Sequence, residues 1–140
     1  MAPLTKIRGA MWSARIPIAA LLIYKAASLL IEYIYTPAPV FLPILEVVYW
    51  LLYLGIGWSL GKANGFGLSL VASVGVIVYF LDVAMVYAYF WLTSPSFASL
   101  QYAIHKVGFG GWYLPGLVCI TVVGALVGHR SGSRSTNAGA

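Results

Sequence analysis

Carboxylates are nearly absent from this chain. Glu32, Glu46 and Asp82 are the only acidic residues among 140, and all three lie inside long apolar stretches. A soluble domain carries its acids on the surface, whereas here no loop or terminus has one. Charged residues of both signs make up 8 % of the chain, against about a quarter in an ordinary globular domain. So few charges cannot cover a water-facing surface, which excludes a soluble domain and makes lipid the solvent. A single cysteine, Cys119, excludes a disulfide within the chain.

Catalytic signatures are missing too. There is no H-E-x-x-H, C-x-x-C, P-loop or G-x-S-x-G. The expectation is therefore a protein that is not an enzyme, and no cofactor can be named. His105 and His129 fall on opposite sides of the membrane in the topology derived below, so they cannot be paired axial ligands of one haem.

What is present is apolar length. A membrane-spanning helix needs about 20 mostly apolar residues, and four segments qualify: Ile16–Tyr35, Leu42–Gly61, Leu68–Trp91 and Trp112–Gly128. Thr36-Pro37-Ala38-Pro39 cannot continue a helix, because proline lacks the amide donor and restricts the residue before it. Gly61-Lys62-Ala63-Asn64-Gly65 reads as a turn. The reading is all-α: a single integral membrane domain over residues 1–130, folded as a four-helix antiparallel bundle, with a disordered polar tail over 131–140. Between spans three and four, a short amphipathic helix begins near Ser94-Pro95 with Phe97, Leu100, Ile104 and Val107 on one face; it rests on the outer surface or closes over a pocket.

The net charge of +5 does not point to nucleic acid. The basic residues sit at the ends of apolar segments, where they meet lipid headgroups and set orientation. Lys6, Arg8, Arg15, Lys62, Arg130 and Arg134 fall on one side, and Lys106 alone on the other. That places both termini in the cytoplasm of a multi-pass protein, with the cell membrane as its expected location.

Helical spacing gathers the unusual residues into stripes. Lys25, Ser28, Glu32 and Tyr35 share a face of span one. Glu46, Tyr49 and Tyr53 share a face of span two, and Gly75, Tyr79, Asp82 and Tyr89 a face of span three. Lys25 lies roughly 13 Å into its span at 1.5 Å per residue, too deep for its ammonium to snorkel out. It needs a partner. Asp82 is the natural one, because spans one and three run in the same direction and both groups reach similar depth. Glu32 is further outward on the same helix. Glu46 follows Pro43 closely, so the first turn of span two and its helix dipole explain it. Ionisable groups in a bilayer are functional candidates by default, so Lys25, Asp82, Glu32, Glu46, Tyr49, Tyr53 and Tyr79 are the candidate ligand or ion site. Gly57/Gly61 and Gly124/Gly128 each have G-x-x-x-G spacing, which lets helices approach closely within the chain or between copies.

Two functions are compatible with these features. The leading one is a non-enzymatic subunit or accessory component of a larger membrane complex, whose polar stripes fix packing and partner contacts. The other is a small oligomeric transporter or channel with a proton- or cation-responsive site at Asp82 and Lys25. The expected partners are membrane lipids, other membrane subunits or further copies of the chain.

The topology is directly testable. In a Cys119→Ser background, Gln101→Cys should react with an impermeant thiol reagent added to intact cells and Asn64→Cys should not. Labelling of Asn64→Cys from outside would refute the orientation.

Overall fold

The computed structural model describes residues 3–34, 41–63, 67–93 and 113–137, and these contain helices and no strands. In chain order they are α1 (Pro3–Ser13), α2 (Arg15–Ile34), α3 (Phe41–Lys62), α4 (Leu68–Thr93) and α5 (Tyr113–Asn137). The expected surface helix after Ser94 lies outside the described residues. α3, α4 and α5 are each long and apolar enough to cross a membrane; α1 and α2, bent by 74° at the break between them, make a fourth only if the pair is one span.

Proline explains where the helices start and where the bend falls. Pro43 and Pro115 each stand third in their helices, where a missing N–H costs nothing because the first turn has no carbonyl to bond. Pro17 is third in α2. It has no N–H to offer the Ser13 carbonyl, and its ring crowds that carbonyl, so the helix breaks at Ala14. Ala14 N–H still donates to the Ala10 carbonyl (3.1 Å), and Ile18 N–H to that of Ala14 (3.0 Å). The basic stretch before span one, read from the sequence only as an orientation signal, is thus a helix of its own. At the other end α5 runs helically to Asn137, into the segment set apart from the sequence as a polar tail. No proline follows Pro115, so nothing in 131–137 forces the helix to stop.

The surface is inverted relative to a soluble protein. Ile23, Leu30, Val47, Leu51, Phe80, Trp91 and Leu126 are all exposed, while the buried polar residues among those described are Asp82 and Thr121. Outward faces of this kind belong in lipid.

Glycine decides the tightest contact. α3 and α5 form the most extensive helix pair. A Cβ added to Gly57 would lie 1.9 Å from the Thr121 carbonyl oxygen, and one on Gly61 2.0 Å from that of Ala125. Reciprocally, a Cβ on Gly124 would meet the Leu54 carbonyl oxygen at 2.3 Å, and one on Gly128 that of Trp58 at 2.3 Å. The two G-x-x-x-G motifs therefore pack against each other, backbone to backbone, within one chain. The paired numbers rise together, so α3 and α5 run parallel. α2 meets α3 the opposite way: Gly55 faces Pro17, and the Tyr24 hydroxyl donates to the Leu45 carbonyl at 2.5 Å. Thr121 faces α4 as well, with its hydroxyl oxygen 3.3 Å from where a Cβ of Gly75 would stand.

This seam predicts a sharp contrast. Gly61→Ala should destabilise the protein in detergent by about 3 kcal/mol, near the upper end for overpacking, because the obstacle is backbone. Gly9→Ala, with nothing within 4 Å of the new methyl group, should be neutral or stabilising by up to about 1 kcal/mol. Equal melting temperatures for the two variants would contradict the seam.

Candidate functional site

Three helices bring their polar stripes to one place. Asp82, on the inner face of α4, is 1 % exposed. The Lys25 ammonium, from α2, lies 3.6 Å from Asp82 Oδ2. The Tyr49 hydroxyl, from α3, donates a hydrogen bond to the same oxygen. Lys25 Nζ also stands 4.7 Å from the centre of the Tyr49 ring, so the ammonium contacts both the carboxylate and the electron-rich face of the tyrosine. Ser28, one turn along α2, turns its hydroxyl back onto the Lys25 carbonyl (2.9 Å) instead of into the cluster.

The sequence places these groups for simple reasons. α2 and α4 both run antiparallel to α3, so side chains from similar depths on all three can meet. Lys25 and Asp82 each lean toward their own helix N-terminus. A carboxylate this buried would be costly without a counter-charge, and the part-buried Lys25 ammonium supplies it. Each satisfies the other.

A second layer is aromatic. Tyr53, one turn beyond Tyr49, meets it edge to face with ring centres 5.2 Å apart. Tyr113, at the start of α5, stacks on Tyr49 at 6.2 Å and meets Trp50 edge-on at 5.7 Å. Tyr79 is buried one turn before Asp82 on α4. Two polar atoms in this region are buried without a hydrogen-bond partner among the described residues: Asp82 Oδ1 and the Tyr53 hydroxyl.

Five of the seven candidate residues thus lie in one region: Lys25, Asp82, Tyr49, Tyr53 and Tyr79. Glu46 stands apart. It is exposed, and it lines an outward groove with Val47, Trp50, Leu51, Leu54 and Ile120. α3 begins at Phe41, so Glu46 is beyond the first turn and the helix-dipole explanation does not apply to it. Glu32 belongs to α2, but its side chain lies outside the described residues, as does Tyr35. Tyr113, not among the seven candidates, stacks on Tyr49. Nothing in its sequence context reveals this, because the register of α5 against α3 is set by glycines elsewhere. Among the described residues, no group of three or more His, Cys, Asp and Glu could hold a metal ion.

No family model, curated protein or solved structure matches this chain. Its functional reading rests on its own geometry.

The charge pair can be tested by a double-mutant cycle. Lys25→Met or Asp82→Asn alone should each cost about 3–5 kcal/mol, seen as lost folded yield and a lower melting temperature, because one buried group remains uncompensated. The double variant should recover much of that loss. Additive losses would mean that the two side chains do not act as a pair.

Proposed function

We propose that this protein is a four-span antiparallel bundle of the cell membrane, with both termini cytoplasmic, that works as a small transporter or channel. Its working centre is a proton- or cation-responsive site at Asp82. The observation that carries this reading is the convergence on one carboxylate. Asp82 is engaged on Oδ2 by Lys25 and Tyr49, while among the described residues Oδ1 and the neighbouring Tyr53 hydroxyl have no hydrogen-bond partner. Tyr49, Tyr53, Tyr79 and Asp82 are buried within the bundle, whereas Glu46 of the same stripe as Tyr49 is exposed.

The chemistry is a competition for one negative charge. A proton or small cation that reaches Asp82 neutralises what holds Lys25 in place. The Lys25 side chain is 19 % exposed, so its ammonium has somewhere to move when it is displaced. Because the cluster joins α2, α3 and α4, a change in occupancy at Asp82 alters the contact between helices. Tyr53, Tyr79 and Tyr113 supply hydroxyl and ring surfaces around this exchange and no competing charge.

A second reading is supported by a different observation. Asp82 is closed off and already paired, as a packing device requires. On this reading the protein is a non-enzymatic subunit of a larger membrane complex, and the cluster only fixes the helices.

One experiment separates the two. Purified protein is melted across a screen of pH and of monovalent and divalent cations, then reconstituted in liposomes and assayed for proton and cation flux. A ligand that binds only the folded state stabilises it by about 2.7 kcal/mol at a hundredfold excess over its dissociation constant. The transport reading expects such a rise for protons or a specific cation, together with flux, both lost in Asp82→Asn. If wild type and Asp82→Asn respond equally and neither moves ions, the site reading fails and the subunit reading stands.

A further inference from the structure

The bend at Ala14 makes an elbow between α1 and α2, and an open groove of about 470 Å³ lies along it. That volume is within the roughly 300–1,000 Å³ typical of small-molecule sites. Its walls are apolar: Leu4 and Met11 from α1, Ile18 and Leu22 from α2. Its polar lining is cationic. Arg8 and Arg15 both line it and both are exposed. Trp12 lies beside them, 69 % exposed, with the Arg15 guanidinium 4.4 Å from its ring centre. A guanidinium stacked on an indole still presents its N–H donors in its own plane, which suits the oxygens of a phosphate.

Among the described residues no carboxylate forms an ion pair with these two arginines. Asp82 is held by Lys25. Glu32 is near the far end of α2, and Glu46 is near the start of α3, which runs antiparallel to α2 and so places it at that same far end. The groove therefore joins two arginines to an apolar trough, at the end of the protein where Lys62 also lies against Trp58 at 4.4 Å. An interfacial tryptophan beside basic residues marks the headgroup level of a bilayer.

We propose that the α1–α2 elbow is a binding site for one anionic phospholipid, with the phosphate held between Arg8 and Arg15 and an acyl chain lying along Met11, Ile18 and Leu22. The occupant is an anionic lipid and not a free anion, because most of the lining is apolar and only a molecule with both parts satisfies it. The site is independent of the Asp82 cluster and stands or falls separately from it.

The test uses full-length protein in neutral detergent micelles, titrated with phosphatidylglycerol or with phosphatidylcholine while thermal unfolding is followed. Phosphatidylglycerol should raise the melting temperature saturably and phosphatidylcholine should not. Arg8→Gln combined with Arg15→Gln should weaken the apparent affinity about 30-fold, from the known contribution of two basic residues at an anionic surface. Lys62→Gln, which removes a charge at the same end but outside the groove, should leave the affinity unchanged. Ala19→Phe fills the groove and keeps both arginines, so it should abolish the effect without lowering the melting temperature in phosphatidylcholine. Should the arginine double variant fail to fold, Ala19→Phe decides alone. The proposal is overturned if Ala19→Phe binds as wild type does, if Lys62→Gln weakens binding as much as the arginine variant, or if sodium phosphate matches phosphatidylglycerol.

Discussion

A carboxylate that cannot reach water has to be answered by its neighbours, and Asp82 draws them from two other helices. Its inward position on α4 requires a cation at the same depth on α2 and a hydroxyl on α3. That requirement fixes more than one contact. Lys25 can reach Asp82 only if α2 and α4 keep a set register. Tyr49 can donate to the same oxygen only if α3 presents that face between them. The desolvation cost of an isolated charge makes other arrangements of these three helices poor competitors. The cluster adds little to the sum of stabilising terms and much to the choice of one packing over others.

The rest of the bundle stands on a different kind of contact. α3 and α5 are held by close approach of backbones across four glycines, which needs no charge and tolerates no added methyl group. In lipid no hydrophobic force drives helices together, so such van der Waals seams do the joining. The seam also sets where Tyr113 lies over Tyr49 and where Thr121 meets Gly75. The molecule thus combines a tight, small-residue pair with a polar junction that ties α2 and α4 to it. Of the two, only the polar junction contains a group that can change charge, so it is where chemistry could alter packing.

Arginine and lysine at one end lie against tryptophan, as Arg15 does with Trp12 and Lys62 with Trp58. Guanidinium and ammonium groups held this way are oriented without being neutralised, so they keep their attraction for anions. The break that Pro17 imposes adds shape to that charge, turning a basic end into a basic groove.

Much of the architecture was legible in the residues themselves. Hydrophobic runs long enough to cross lipid marked α3, α4 and α5, because span length depends only on rise per residue and membrane thickness, whereas α2 reaches that length only together with α1 across the bend. Helical periodicity placed Lys25, Tyr49, Tyr53, Tyr79 and Asp82 on inward stripes, and depth along the helix was enough to pair Lys25 with Asp82. What composition and period could not supply was relative register. G-x-x-x-G reads the same whether its partner is another span or another molecule. Glu46 shares a stripe with Tyr49 yet is exposed, because which edge of a stripe is covered depends on how the neighbouring helices seat against α3. Tyr113 looks like any interfacial tyrosine until α5 is seated against α3. Local sequence determines which elements form and which of their faces are polar, since both follow from the chain's own geometry. Only the packed structure decides which faces meet and at what offset, because that depends on close contacts between residues far apart in the chain.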